Sequence, residues 1–312
     1  MFENIPPILL WVSGSILCLL AIATIIIALL IRRFPQTDYT ELSARIRSWW
    51  WMVGIFMLAM LIDTTISLLL FAFMSFMAFK EYLSLIPTRR ADRRTLFWAY
   101  LAIPIQYYWI YIAWYGVFII FIPVYMFLFL PIRMVLVGET QGFLKAVGTL
   151  HWGLMITVFC LSHASYLLVL PNEINPMAGS AGLLLFLVFL TEINDITQYL
   201  WGKLLGKHKI IPKVSPNKTW EGFVGGFITT TLLSMLIAPW LTPLTLVESI
   251  FGGMLIALAG FFGDVGISAL KRDLGIKDSG TALPGHGGIL DRVDSLTYTA
   301  PLFFHFIYYL HY

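Results

Sequence analysis

The sequence predicts an all-α, polytopic integral membrane protein with about nine or ten transmembrane helices. Two features of composition and one of pattern say so. Of 312 residues, 59% are hydrophobic and only 12% charged, where a soluble domain carries about 25% charged residues. The mean hydropathy is +0.83. Apolar runs recur along the whole chain at lengths that suit a crossing helix of about 20 residues. The net charge of +3 gives no reason to expect nucleic acid as a partner. Cys18 and Cys160 lie in apolar runs and suit buried small hydrophobes better than a disulfide or a zinc site.

The runs can be taken in order. Residues 8–31 are apolar and close on Arg32-Arg33; the run is longer than a signal-peptide core and reads as a retained helix. Residues 50–79 are interrupted by Asp63, and residues 96–132 by Pro104 and Pro123. The second of these is long enough for two helices, the first ambiguous between one and two. Further runs lie near 147–170, 181–200, 222–241, 244–264 and 295–311. If both long runs cross twice, all 20 Lys and Arg residues fall in 32–49, 80–95, 133–146, 201–221 and 265–294, on one side of the membrane. The positive-inside rule makes that side the cytosol. Ten crossings with both termini outside is therefore the expected topology, and nine remains an alternative. Trp49-Trp50-Trp51 suits an interfacial belt, and the Arg89-Arg90 and Arg93-Arg94 pairs suit orientation or anionic head groups. His151 and His163 read as hydrogen-bonded helix residues. No repeat or linker divides the chain. The expected organisation is one integrated membrane domain, with scaffold helices over 1–179 and a chemical half over 180–312.

Three polar segments interrupt that chemical half. Glu192, Asn194 and Asp195 lie near the end of an apolar run, and a carboxylate at membrane depth costs about 2.5–3.5 kcal/mol on insertion scales. Such groups need partners or a water-filled cavity, and a structural polar cluster is the competing reading. Residues 201–226 then bring Lys203, Lys207, His208, Lys209, Lys213 and Lys218, with Ser215, Asn217 and Thr219 as neutral donors, before Gly222, Gly225 and Gly226 open a helix. Donors and cations before a helix start suit phosphate, although no Walker A string is present. Gly225-Gly226 fits close helix packing equally well.

The third segment, 264–294, is the most informative. It sets Asp264, Asp273, Asp278, Asp291 and Asp294 among Lys271, Arg272, Lys277 and Arg292, with Gly285, Gly287 and Gly288 around His286. Carboxylates hold a hard divalent cation, Lys and Arg neutralise phosphate oxygens, and glycines admit backbone N–H groups. Together they are the parts of a metal–polyphosphate site, although a solvated charged loop has the same composition.

The order of residues resembles a known signature. Ser268, Lys271-Arg272, Lys277-Asp278, Gly280, Leu283-Pro284, His286-Gly287-Gly288 and Asp291-Arg292-Val293-Asp294 match the phosphatidate cytidylyltransferases (CDP-diacylglycerol synthases) in identity and spacing. Asn194-Asp195 and Lys218-Thr219-Trp220-Glu221-Gly222 resemble the same family. Gln198-Tyr199 departs from its usual Ala-Tyr pair. The resemblance implies transfer of CMP from CTP to phosphatidate, with release of pyrophosphate, at a cytosolic face of a bacterial inner membrane. It implies Mg²⁺ as cofactor and leaves a second cation open. Asp264 and Asp291 are its first choices as metal ligands. Asp278 and Asp294 come second, or else hold Lys277 and Arg292. Lys218, Lys271, Arg272, Lys277 and Arg292 would clamp phosphate. Asn194, Asp195, Ser215, Asn217, Thr219, Ser268, Gly287 and Gly288 would bind nucleotide, and His286 would donate to phosphate or order the turn. The expected partners are CTP, a lipid phosphate and membrane lipids, with a homodimer left open. Two alternatives stand: a CTP-dependent enzyme acting on another lipid phosphate, and an ion-coupled transporter.

Overall fold

The computed structural model describes residues 6–280 and 287–312. Ten long helical segments run through it: α1 Pro7–Arg33, α2 Thr40–Ile62, α3 Thr64–Leu85, α4 Arg93–Tyr111, α5 Tyr115–Val135, α6 Phe143–Val169, α7 Gly179–Leu205, α8 Trp220–Leu241, α9 Leu246–Asp273 and, after the short α10 Leu290–Val293, α11 Leu296–His311. The described residues contain no strand, and an isolated antiparallel bridge joins Lys209 and Thr219. Eight of the helices are long and apolar enough to span a membrane by themselves. The remaining two are α4 and the 16-residue α11. The all-α polytopic architecture expected from composition is the one observed.

Asp63 splits the run 50–79. Its backbone is extended (φ −166°) and its carboxylate accepts from the Thr65 N–H, so it ends α2 and caps α3. A side-chain acceptor satisfies one of the N–H groups that a helix start leaves orphaned. Asp63→Ala should cost about 1 kcal/mol, read as a lowered midpoint of thermal unfolding in detergent. An unchanged midpoint would show that packing alone sets this start.

The run 96–132 is also two helices, but neither proline makes the break. Pro104 lies inside α4, and Pro123 lies in a wide π turn, Phe121–Met126, inside α5. The chain turns at Ile112–Trp114, where Ala113 adopts a positive φ of 53°. A wider turn is one way for a helix to absorb a proline's missing donor. A second π turn, Met155–Cys160, lies in α6.

Within the C-terminal half, α8 packs along α7, α9 along α8, and α11 against α9 and α7. Gly225 faces the Trp201 ring and Gly226 the Gln198 side chain, each too close for a Cβ, which assigns both glycines to helix packing. At one end of this group Thr245 and Glu248 form a capping box at the start of α9. His311 at the end of α11 approaches Glu248 at 3.4 Å. The opposite end therefore carries the end of α9 and the start of α11, and with them the polar segments.

The N-terminal half packs on α3, α4 and α6. Tyr82 on α3 is buried and donates to the Thr149 carbonyl of α6 at 2.7 Å. His163 on α6 meets the Phe159 carbonyl through Nδ1 at 2.7 Å, as a helix histidine does. His151 instead packs edge-on to Phe127, with its Nδ1 unpartnered. Cys160 is partly buried, whereas Cys18 is exposed on α1. Most of α1 lies outside the core, so an apolar position there does not imply burial.

Candidate active site

Two clusters form where α7, α9 and α11 meet the 206–219 loop and residues 274–280 and 287–295. The first is acidic. Asp195 on α7 accepts from the Ser295 hydroxyl through Oδ2 at 2.7 Å, and its shielded Oδ1 has no partner among the described residues. Asp264 on α9 receives the Lys218 ammonium at 2.7 Å and the Ser268 hydroxyl at 3.2 Å. Asp294 accepts from the Ser295 N–H at 2.7 Å. Burial pushes the Asp294 carboxyl well above its usual range, and the charges of Asp264 and Asp195 add to the shift. The Ser295 N–H and the Arg292 guanidinium oppose it. Three carboxylates thus share one electrostatic environment, with Arg292 also acting on Glu192. The Arg292 Nε is buried without a partner among the described residues.

Helix geometry explains part of this grouping. Asp264 and Ser268 are four apart on α9, so they share a face. Asn194, one residue before Asp195, is buried between α8 and α9. It accepts from the Thr230 hydroxyl at 3.2 Å and donates to the Ala257 carbonyl at 3.3 Å. Those contacts tie α7 to α8 and α9. Gln198, the departure from the family pattern, sits one turn on and accepts from Lys218 at 3.4 Å. Lys218 also lies 4.9 Å from the centre of the Phe261 ring.

The second cluster surrounds Asp291. Its Oδ1 receives Lys271 at 2.7 Å; its Oδ2 accepts from the N–H groups of Ser279 and Gly288 at 2.8 and 3.1 Å. Burial works against the Asp291 charge, but Lys271 and the two N–H groups outweigh it and hold the carboxyl below its usual range. Both oxygens are engaged. The two carboxylates expected from the sequence to lead a metal site, Asp264 and Asp291, thus have different partners, and Asp264 has Asp195 and Asp294 as its charged neighbours. Gly287 turns the chain at φ 78°, a conformation that favours glycine, and Gly288 has no room for a Cβ.

The other expected residues fall as follows. Arg272 donates to the carbonyls of Val214 and Ile276 at 3.2 and 3.1 Å, tying the 206–219 loop to the end of α9. Lys277 and Asp278 are exposed, as is Asn217. The Ser215 N–H and carbonyl bond within their own loop. Thr219 caps α8 by accepting from the Gly222 N–H at 3.2 Å. His286 lies outside the described residues. Among the described residues no three His, Cys, Asp or Glu side chains are set closely enough to hold a metal ion by themselves.

Sequence reasoning missed Ser295 and Glu81, and marked Gln198 only as a departure from the family pattern. Glu81, at the end of α3, accepts from the Ile289 and Leu290 N–H groups at 2.8 and 3.1 Å, and from the Ser279 hydroxyl. A lone carboxylate beside Lys80 at the end of an apolar run carries no motif that would flag it.

The family model described as the cytidylyltransferase family matches residues 43–310. The chain belongs to this family. The match includes α3 and the rest of the N-terminal helices from residue 43 on, which the sequence marks only as scaffold. A protein of Escherichia coli (strain K12), named uncharacterized protein YnbB, is 47% identical over 296 residues, covering 95% of this chain and 97% of that protein. The phosphatidate cytidylyltransferase of Staphylococcus saprophyticus is 43% identical over 128 residues, 38% of this chain and 46% of that protein. That of Haemophilus influenzae is 40% identical over 134 residues, 41% of this chain and 46% of that protein. The chain thus spans less than half the length of these two phosphatidate cytidylyltransferases, while the family model extends across most of it. A cytidylyltransferase is a nucleotidyltransferase, so the chain is an enzyme of that class and, by its helices, a membrane one.

Proposed function

We propose that the protein transfers CMP from CTP to phosphatidate, giving CDP-diacylglycerol and pyrophosphate, at the cytosolic face of a bacterial inner membrane. The observation that carries this reading is the convergence of Asp195, Asp264 and Asp294 with Lys218 and Arg292 at one end of the helical group. That end holds the basic segments, so the positive-inside rule assigns it to the cytosol, where CTP is found. The acyl chains of the acceptor would stay in the bilayer.

In the reaction a phosphatidate phosphate oxygen attacks the α-phosphorus of CTP. The bond from that phosphorus to the bridging β-phosphate oxygen breaks, and pyrophosphate leaves. The attacking oxygen is already ionised near neutral pH, so the chain need supply no general base. Its task is alignment and charge neutralisation. Lys218 is held by Asp264 and Gln198 and can exchange either contact for a phosphate oxygen. Arg292, with a shielded and unpartnered Nε, is a second phosphate donor. Lys271 is held by Asp291 beside the glycine turn.

The acidic cluster fits Mg²⁺. The Asp195 Oδ1 is shielded yet unpartnered, and a carboxylate oxygen can only accept. Mg²⁺ needs few protein oxygens because substrate phosphates and water complete its shell. Asp195, with Asp264 or Asp294 beside it, would hold it together with phosphate oxygens and water, and when bound it would supply charge neutralisation on phosphate oxygens.

The test is a radiolabelled-CTP assay on purified protein with Mg²⁺ and a panel of lipid phosphates. Lipid-linked CMP should form with phosphatidate above all other acceptors. Formation only with another lipid phosphate would replace the acceptor, and no lipid-linked CMP with any of them would sink the reading.

A further inference from the structure

Residues 279 and 288–290 are held from both halves of the protein at once. From the C-terminal half, Asp291 accepts the N–H groups of Ser279 and Gly288. From the N-terminal half, Glu81 accepts the N–H groups of Ile289 and Leu290 and the Ser279 hydroxyl. The two carboxylates therefore tie residue 279 to residues 288–290, one from each side.

The fit around Glu81 is close. A Cβ on Gly288 would collide with its Oε1, and one on Gly280 would stand 3.1 Å from its Oε2. Two glycines of the signature thus have a use independent of any ligand: they admit a carboxylate from a helix some 200 residues earlier. Glu81 itself stands on a fixed support, since its neighbour Tyr82 is buried and bonded to Thr149 of α6. Bonds from N–H groups to an ionised acceptor are about twice as strong as neutral ones. The segment so held carries Asp291, which positions Lys271, and leads directly into Arg292, Asp294 and Ser295.

We propose that Glu81 is a positioning residue for cytidylyl transfer: it fixes the base of the signature loop against the N-terminal helices, and through Asp291 and Asp294 it sets the placement of Lys271 and the acidic cluster. This rests on the functional reading above, and its test separates the two. Glu81→Gln keeps the side-chain shape but replaces one acceptor oxygen by a donor that faces N–H groups. In the full-length protein, amide exchange at Ile289 and Leu290 should rise about tenfold or more, with exchange elsewhere unchanged.

A misplacement of about 1 Å can cost about a hundredfold in rate. The kcat for CMP transfer should accordingly fall at least about tenfold, with the KM for the lipid little changed. Ser279→Ala, which removes one of the three contacts, should give a smaller loss in the same direction. Unchanged exchange at 289–290 in Glu81→Gln would overturn the proposal. So would raised local exchange with kcat within about twofold of the parent protein, and so would a rise in exchange throughout the chain, which would make Glu81 a general fold residue. If the parent protein itself transferred no CMP, the functional reading would fail, while the exchange result would still judge the clamp and, with no transfer to position for, the positioning role would fall with it.

Discussion

Asp264→Asn is expected to lower CMP transfer by about a hundredfold or more, on the scale of removing one preorganised charged group from a phosphoryl-type transition state. Asp264 stands between the Lys218 ammonium and the Ser268 hydroxyl and shares its surroundings with Asp294 and Asp195. The amide keeps the shape and can still accept one bond, so the helices should pack as before. It removes the negative charge that holds Lys218 and would hold Mg²⁺. The loss should appear mainly in kcat, with a steeper requirement for added Mg²⁺, and the thermal midpoint should stay within a few degrees. Transfer within about threefold of the parent protein at ordinary Mg²⁺ would remove Asp264 from the site. Asp195→Asn tests the cluster separately: a comparable loss is expected, because its unpartnered Oδ1 has no stabilising bond to forfeit.

Asp291→Ala is expected to act differently, on the fold of the loop as well as on the rate. The residue is 7% exposed and its partner Lys271 12%. Removing one member of a buried ion pair typically costs about 3–5 kcal/mol, because the other charge is left without compensation. The N–H groups of Ser279 and Gly288 would lose their acceptor as well. A fall in stability of roughly that size is expected in a denaturant titration, together with loss of transfer. Pairing the change with Lys271→Met removes the stranded charge and should recover part of the stability while leaving the enzyme inactive. Retention of full stability by the single variant would show that the loop is held by Glu81 alone.

The pH dependence follows from the sign of the shift. The Asp291 carboxyl is held below its usual range, so its contribution is present above the unfolded carboxylate pKa of about 3.9 and is lost as pH falls through the folded one. Measurements near neutral pH therefore see the full effect.

Several features are legible in the order of residues alone. Apolar runs and the placement of Lys and Arg give the helices their approximate number and extents. The split at Asp63 shows as a polar interruption, though its capping role needs the Thr65 contact. The break in 96–132 is expected but not its place. Prolines are visible in sequence, whereas the π turn that absorbs Pro123 and the positive φ at Ala113 depend on how neighbouring helices pack. The signature over 264–294 identifies the chemistry. It does not say which carboxylates share a cavity, because Asp264, Asp291 and Asp294 are equally acidic on paper. Their partners separate them: two N–H groups and Lys271 engage both oxygens of Asp291, while Asp195 keeps an oxygen unpartnered.

What the sequence by itself determined is the membrane architecture, the polar end of the helical group and the family, since each is a matter of local composition and of residue order along short stretches. What only the tertiary structure decided is the division of the acidic residues into a cluster with an unpartnered carboxylate oxygen and a loop-holding one, and the entry of Glu81 into the second. Those assignments depend on which groups meet across about 200 residues of chain. A carboxylate is directed to hold a loop or to accept a cation by the donors already within reach of its oxygens, and only the packing of α3 against the signature segment brings those donors there.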